Sequence, residues 1–341
     1  MKLIIQIPCH NERDQLAGTF EDLPREVSGI DEIEVLVIDD GSTDHTSQLA
    51  EAIGVHHIVR FPRHRGLAAA HMAGLGSCLR LGADVVVNTD ADNQYRGEDI
   101  GALIQPILEG RADVTVGDRQ TDHIAHFSMP KRFLQRLGSK LVQRVSGTNV
   151  ADSTSGFRGF NRSALSSLFV HNDFSYTVET IIQAGQSGLA IENVPIATNP
   201  PTRPSRLFTS IPDYLKRNGP VIFRSYSMYW PAQTFGYIAL GLFLIGSALV
   251  VRFLYYFMKT PDLSSHIQSL QIGVGAIVIA FIVGLMALLG DLIAANRRIM
   301  EELLTRVRRL GTQAVAHNET LRQGPDDNVQ STGAESWRSR Q

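Results

Sequence analysis

The 341-residue sequence has few cysteines, almost no net charge and two long segments without any charged residue. The only cysteines are Cys9 and Cys78, which excludes a disulfide framework and a cysteine-based metal cluster, so we expect two small buried residues in a reducing compartment. A formal net charge of −2 provides no general attraction for nucleic acid, and we predict no such partner. The apolar run at residues 2–8 is shorter than the core of a signal peptide and predicts a first β-strand, hence a start in the cytosol.

The uncharged segments, residues 225–251 and 267–290, are each long enough to cross a lipid bilayer as a helix. Neither has the polar stripe that a helix on the surface of a soluble domain carries. A pair of buried helices in a soluble core is the weaker alternative. We therefore predict a hairpin of two transmembrane helices over residues 231–293.

Basic residues lie at the outer ends of this hairpin. Only Arg252 and Lys259 occur in the link between the two segments, whereas several lysines and arginines precede the first and follow the second. The positive-inside rule places the outer flanks in the cytoplasm, so we predict an integral membrane protein with residues 1–200 and both termini on the cytoplasmic side. Residues 201–230 are predicted to form a loop and amphipathic helices at the membrane surface, with a plain linker as the alternative. Residues 294–341 are predicted to be a basic helix and, from about residue 314, a disordered tail.

Residues 1–200 alternate between strand-like and helix-like segments. Continuous apolar runs such as "KLIIQIP", "IEVLVIDD" and "ADVVVNTD" are typical of buried parallel strands, and helix-like segments separate them. This alternation predicts an α/β fold with a mainly parallel sheet and helices on both faces. Ligands in such sheets bind beyond the carboxyl ends of the strands, where the polar clusters of this sequence fall.

One of these clusters is "DADNQ", in which Asp90 and Asp92 follow a buried strand with one residue between them. Two carboxylates so close raise each other's pKa unless a cation lies between them. Mg²⁺ or Mn²⁺ takes oxygen ligands and is usually held by one or two carboxylates plus substrate phosphates, and the amide oxygen of Gln94 is a third candidate ligand. Alone, the pattern is equally compatible with a solvated acidic turn.

Two more strands end in polar groups. In "VIDDGSTD", Asp39 lies where a carboxylate can accept hydrogen bonds from a nucleoside base or from ribose. In "IPCHNE", the backbone at Pro8 and Cys9 and the carboxylate of Glu12 are placed to frame the same nucleoside. The three strand ends together favour a ligand crevice over three unrelated solvated turns.

The order of these motifs, followed by "DSTSGFRGF", resembles the family 2 glycosyltransferases of GT-A fold. More narrowly it resembles the polyprenyl-phosphate glycosyltransferases, over residues 1 to about 310. The resemblance implies inverting transfer of a hexose-type sugar from a nucleotide diphosphate sugar, UDP- or GDP-linked, to a polyprenyl phosphate, undecaprenyl or dolichyl, at the lipid bilayer. It implies Mg²⁺ or Mn²⁺ as cofactor and leaves a homo-oligomer open.

The resemblance also implies roles for individual residues. Asp92 and Gln94 would hold the metal, and Asp152 would lie on the acceptor side of the sugar. The residues expected to bind the nucleotide sugar are Pro8, Cys9, Glu12, Asp39 and Asp90, with Arg203 and Arg206 on a loop that closes over the diphosphate. The arginines expected to receive the acceptor phosphate or to shape its site are Arg119, Arg132 and Arg158.

Two features limit the resemblance. The segment "GDRQTDH" places Asp118 where the family commonly has S-R or G-S-R, and the Q-x-x-R-W signature of processive synthases is absent, which argues against chain elongation. The alternatives are a membrane glycosyltransferase with another acceptor, such as diacylglycerol or a growing glycan, and a catalytically silent scaffold that binds sugar nucleotides.

Overall fold

The structure is a computed structural model that describes residues 1–119, 142–144, 146–169, 176–200, 227, 230–259 and 266–322. The predicted contacts of Arg132, Arg203 and Arg206, and the predicted amphipathic helices before residue 227, lie outside the described residues.

The described residues form one seven-stranded sheet with the strand order β3-β2-β1-β4-β6-β5-β7. β6 runs antiparallel to its neighbours β4 and β5, and all the other pairings are parallel. The predicted mainly parallel sheet is therefore confirmed. The strands are β1 (Lys2–Cys9), β2 (Glu32–Asp39), β3 (His57–Arg60), β4 (Val85–Asn88), β5 (Val114–Asp118), β6 (Arg158–Asn161) and β7 (Ile191–Pro195).

Helices cover both faces of this sheet, because alternate residues of each buried strand point to opposite sides. Ile4 and Val86 pack in one apolar cluster, whereas Ile5 and Val87 pack in another on the opposite face. Each fully buried aliphatic side chain of this kind stabilises the fold by roughly 1.5–3 kcal/mol. The helices that pack on the sheet are α1 (Arg13–Glu21), α2 (Thr46–Ala52), α3 (Leu67–Arg80), α4 (Ile100–Leu108), α5 (Arg162–Ser167) and α6 (Tyr176–Gln186).

The sequence pattern is helix-like over residues 12–27 and 42–54, and the helices that form there are shorter. α1 ends at Glu21 instead of continuing to Val27, and Pro24 explains this because a proline disfavours helical geometry in the residue before it. α2 begins at Thr46 instead of Ser42, since the Asp44 carboxylate accepts a hydrogen bond from the Thr46 backbone N–H at 3.1 Å and His45 adopts a left-handed φ of 67°.

Beyond the sheet, α7 (Pro231–Lys259) and α8 (Ile267–Arg322) pack against each other. Both contain segments long and apolar enough to cross a membrane, and only 11% and 17% of those segments are buried. The two helices approach closely where Gly246 faces Gly273: a Cβ added to Gly246 would lie 2.7 Å from the Gly273 carbonyl oxygen. The structure therefore contains the predicted apolar hairpin, whose two helices are long and apolar enough to span a membrane, while the orientation of its termini stays a prediction. α8 continues to Arg322, past residue 314 where we placed the start of the disordered tail.

Candidate active site

Three neighbouring strands end side by side at one edge of the sheet. β1 lies between β2 and β4, with Cys9 in register with Asp39 and Gln6 in register with Asn88. The loops that follow these strands carry the polar residues singled out in the sequence, and they meet at this edge.

The carboxylates after β2 are held by the chain itself. Asp39 is fully buried and accepts hydrogen bonds from the Ser42 N–H at 2.8 Å and from the Ser47 hydroxyl. Asp40 accepts the backbone N–H groups of Arg65 at 2.6 Å and Gly66 at 2.8 Å, at the start of α3. Both carboxylates therefore fix the loops around the crevice, and the predicted contact of Asp39 with a nucleoside stays a prediction.

The loop after β1 is tied to the same region. Pro8 and Cys9 are buried, and the Cys9 carbonyl accepts the Asp40 N–H at 2.8 Å. The Glu12 side chain is also buried, and its backbone N–H donates to the Thr46 hydroxyl at 3.1 Å. The structure thus brings the predicted nucleoside-binding residues of β1 beside the β2 loop.

A cleft of about 600 Å³ opens beside the β2 loop. This volume is in the range of small-molecule binding sites. Gly41 allows the cleft wall to form, because its φ is 67° and an added Cβ would lie 2.4 Å from the Arg63 carbonyl carbon. Gln48, Arg60 and Phe61 also line the cleft, but they belong to no motif, so no pattern in the sequence singles them out.

The turn after β4 differs from the β2 loop. Asn93 has a φ of 54°, which folds the chain back so that Asp92 accepts the Gln94 N–H at 3.2 Å. No residue of the described part of the chain donates a hydrogen bond to the Asp90 carboxylate. Burial, and next the negative charge of Asp92, raise the pKa of Asp90 to about 7.

This turn fits a hard divalent cation. Among the described residues, no three histidine, cysteine, aspartate or glutamate side chains converge on one point. Mg²⁺ needs no such cage, because one or two carboxylates suffice when substrate phosphates and waters complete the shell. A cation beside Asp90 and Asp92 would favour their ionised forms and remove the cost of their repulsion.

Asp152 forms an ion pair with Arg119, whose charge also acts on Asp90. The Arg119 guanidinium donates to both Asp152 oxygens, at 2.7 and 3.1 Å, and to the Thr154 hydroxyl at 2.8 Å. Burial alone would raise the pKa of Asp152, but the Arg119 charge and the hydrogen bonds hold it below its ordinary value. Asp152 is therefore ionised and held in a fixed orientation.

Arg158 is placed differently from the expectation that it could receive a phosphate. It is fully buried, and its guanidinium donates to the Ser155 carbonyl at 2.9 Å, to the Ser153 carbonyl at 3.1 Å and to the Thr180 hydroxyl. These bonds hold the "DSTSGFR" loop in shape. Whether this loop belongs to an acceptor site stays a prediction.

The chain leading towards Arg203 and Arg206 is anchored beside the acidic turn. The Asn199 backbone N–H donates to the Gln94 carbonyl at 2.9 Å, and its side-chain amide donates to the Asn93 carbonyl at 3.0 Å. These bonds hold Asn199 against the Asn93–Gln94 turn, and the predicted closing loop after it stays a prediction.

Comparison with known proteins connects this geometry to a family. Residues 4–169 match the family model "Glycosyl transferase family 2". An uncharacterised protein of Methanocaldococcus jannaschii is 30% identical over 204 residues, which is 58% of this chain and 81% of that protein.

Two relatives have named activities. The polyprenol monophosphomannose synthase of Mycolicibacterium smegmatis is 26% identical, over 57% of this chain and 76% of its own. The UDP-N-acetylglucosamine–dolichyl-phosphate N-acetylglucosaminyltransferase of Methanococcus voltae is 28% identical, over 56% and 83%.

The fold is also that of a solved structure. The glucosyl-3-phosphoglycerate synthase of Mycobacterium tuberculosis, in complex with Mn²⁺, UDP and glucosyl-3-phosphoglycerate, aligns with a TM-score of 0.51 and 22% identity, over 66% of this chain and 78% of that chain. This confirms the GT-A fold. With the family model and these relatives, it follows that the chain belongs to glycosyltransferase family 2 and is related to the polyprenyl-phosphate sugar synthases.

Proposed function

We propose that the protein transfers a sugar from a nucleotide diphosphate sugar, UDP- or GDP-linked, to a polyprenyl phosphate at the membrane surface, with inversion at the anomeric carbon. The observation that carries this proposal is the pairing of two features in one chain. The charge of Arg119, which is paired with Asp152, acts on Asp90 in the acidic turn, and an apolar helical hairpin follows the same domain.

The relatives support this acceptor class. The names of the mycobacterial and the methanococcal relatives specify different sugars, but both specify a polyprenyl-type phosphate acceptor. The acceptor is therefore the common element, and we leave the sugar open between hexose-type donors.

On the donor side, we assign Asp92 and Gln94 to hold a divalent cation, with Asp90 beside them. When bound, Mg²⁺ or Mn²⁺ supplies positive charge that stabilises the departing nucleoside diphosphate. Glu12, Asp39 and the backbone at Pro8 and Cys9 frame the nucleoside, and the 600 Å³ cleft lies beside them. Arg203 and Arg206 close over the diphosphate from the segment anchored by Asn199.

On the acceptor side, no residue has to remove a proton from the attacking group. A phosphate monoester is already ionised at neutral pH, so its oxygen attacks without a strong general base. Asp152 suits this chemistry, because a carboxylate whose pKa is lowered by an arginine is a weak base but a firm anchor. We assign Asp152 to orient Arg119 towards the acceptor phosphate, with Arg132 as a second cation and Arg158 holding the loop. Rate enhancement then comes from positioning and charge.

The two alternatives fit less well. Diacylglycerol offers a hydroxyl, which needs a base whose pKa is near the operating pH, and the ion-paired Asp152 does not supply one. A silent scaffold would not need the Asp152–Arg119 pair beside an acidic turn.

The test uses purified full-length protein in lipid nanodiscs with Mn²⁺ and a panel of UDP- and GDP-sugars. Undecaprenyl phosphate, dolichyl phosphate, diacylglycerol and 3-phosphoglycerate serve as acceptors in parallel reactions. We expect product with a polyprenyl phosphate and one donor, and loss of product on adding a chelator. Transfer to diacylglycerol or 3-phosphoglycerate in preference to both polyprenyl phosphates would contradict the proposed acceptor.

A further inference from the structure

The peptide group of Gly156 is held from both sides by buried side chains. Its N–H donates to the Tyr95 hydroxyl at 3.0 Å, and its carbonyl accepts the Asn88 side-chain amide at 2.8 Å and the Tyr176 hydroxyl at 3.3 Å. These residues come from distant parts of the chain: the end of β4, the turn after it and the start of α6. Gly156 itself lies in the "DSTSGFR" loop, four residues after Asp152.

Gly156 also lies against the acidic turn. A Cβ added to Gly156 would lie 3.0 Å from each carboxylate oxygen of Asp90 and 3.1 Å from the Tyr176 hydroxyl. Only a residue without a side chain lets the loop approach Asp90 this closely. The Gly156 peptide is therefore the point where the donor side and the acceptor side of the crevice meet.

A buried polar network fixes the residues that hold this peptide. The side-chain oxygen of Asn88 accepts a hydrogen bond from the Gln6 side-chain amide at 2.8 Å and lies 2.9 Å from Nδ1 of His71. The His71 ring stacks on the Tyr176 ring, with the ring centroids 3.7 Å apart. His71 is neutral, since burial lowers its pKa to about 3, and its Nδ1 also lies 3.0 Å from the Gln6 side-chain nitrogen. Tyr95 stacks on Phe157 at 5.0 Å. Both tyrosine rings are thereby locked by stacking, independently of their hydroxyl groups.

We propose that Tyr95 and Tyr176 are positioning residues that clamp the Gly156 peptide and so set the distance between the Asp90–Asp92 turn and the Asp152–Arg119 pair. Tyr95 follows Gln94 directly, so its hydroxyl ties the metal-side turn to the acceptor-side loop. The inference deepens the proposed function and rests on it for its effect on turnover. The clamp itself is a property of the fold and is tested separately below.

The variants Tyr95→Phe and Tyr176→Phe remove one hydroxyl each and keep the stacking. Because a small misplacement of reacting groups is costly, we expect kcat to fall by about 10-fold or more in each. The Kd for UDP or GDP with Mn²⁺ should stay within about 3-fold of wild type, since neither hydroxyl is placed in the nucleotide site. Because both act on one peptide, the double variant should lose less than the product of the two single losses.

Two variants serve as matched controls. Tyr237→Phe makes the same chemical change on an exposed position of α7, and Ile104→Val weakens the buried core at α4, in the same apolar cluster as Tyr95. Both should keep wild-type kcat, the second with a lowered Tm. If Tyr95→Phe and Tyr176→Phe lower Tm as Ile104→Val does while kcat per folded molecule stays within 2-fold of wild type, the tyrosines are structural only and the inference fails.

Hydrogen exchange gives a readout that does not depend on turnover. We expect faster exchange over residues 152–160 in Tyr95→Phe and unchanged exchange in Tyr237→Phe. Unchanged exchange in Tyr95→Phe would overturn the clamp even if the enzyme proves inactive with every donor. Inactivity of the wild type with all donors would count against the proposed function alone.

Discussion

Two strands of the sheet end in carboxylate pairs, and the two pairs have different surroundings. Asp39, the last residue of β2, and Asp40, which follows it, each accept hydrogen bonds from backbone or hydroxyl groups of the following loops. Asp90, after β4, receives none from the described part of the chain, and its pKa is raised to about 7 by burial and by Asp92. The Asp39–Asp40 pair stabilises the fold, whereas Asp90 keeps its carboxylate oxygens available.

This difference shows that a pair of acids at a strand end can serve either the stability of the fold or its function. A buried carboxylate surrounded by N–H donors serves as a structural anchor. A buried carboxylate beside another carboxylate destabilises the fold until a cation arrives, and such unsatisfied sites are typical of functional positions. The two readings predict opposite effects of mutation on stability and on activity.

The largest expected effect is that of Asp92→Ala. Removing a charged ligand of the cation should lower transfer by roughly 1,000-fold, in line with the loss of a major electrostatic group from a transition state. The Tm should not fall, because the repulsion between Asp90 and Asp92 is relieved. Turnover assays and thermal unfolding on the same preparation check this, and near-normal turnover would contradict the metal assignment.

The converse change is Asp39→Ala. It leaves the buried Ser42 N–H and Ser47 hydroxyl without their acceptor, at a cost of about 1–3 kcal/mol for each group. For a domain of this size, we expect Tm to fall by roughly 5 °C or more. Asp90→Asn is the matched comparison and should leave Tm equal or higher. Equal losses of Tm in the two variants would contradict the claim that Asp39 stabilises the fold and Asp90 does not.

The sequence alone predicted much of the sheet but not these partners. β1, β2 and β4 each contain a buried, mostly apolar run, so burial dictates them. β6 was missed because "RGFN" is only a four-residue strand inside a motif, and its antiparallel pairing depends on contacts distant in the chain. The same limit applies to the site. "DADNQ" showed where the acids lie, but whether hydrogen-bond donors surround Asp39 or Asp90 is decided by loops folded from elsewhere.

The roles of single residues show the same limit. Arg158 resembled a phosphate-binding arginine, but three oxygen atoms from residues 153–180 enclose its guanidinium. Tyr95 and Tyr176 belong to no motif, and their hydrogen bonds to Gly156 span 61 and 20 residues of chain. No local pattern could have revealed them.

A smaller effect is expected at the acceptor side. Asp152→Asn keeps the shape of the side chain but removes the charge that orients Arg119. We expect turnover to fall by about 100-fold while donor affinity stays within a few-fold, because misorientation affects the reaction more than binding. Initial rates and calorimetric titration with nucleotide and Mn²⁺ separate the two quantities. A parallel loss of donor affinity would move Asp152 to the donor pocket.

The smallest effect concerns the membrane segment. A chain ending at residue 224 should keep a folded domain with wild-type nucleotide affinity, but its rate on long-chain polyprenyl phosphate in vesicles should fall by about 10-fold. The loss should be less on a short-chain, water-soluble analogue, because the hairpin serves to hold the crevice at the bilayer. Undiminished activity on the long-chain lipid would show that α7 and α8 are dispensable for acceptor use.

The most direct test of the contrast between the two acidic pairs is electron paramagnetic resonance of Mn²⁺ titrated into the full-length protein with UDP or GDP. We predict one nucleotide-dependent Mn²⁺ site per chain in the wild type and in the Tyr237→Phe control, and no such site in Asp92→Asn. A wild-type protein that binds nucleotide without Mn²⁺, or an Asp92→Asn variant that retains the Mn²⁺ site, would contradict it.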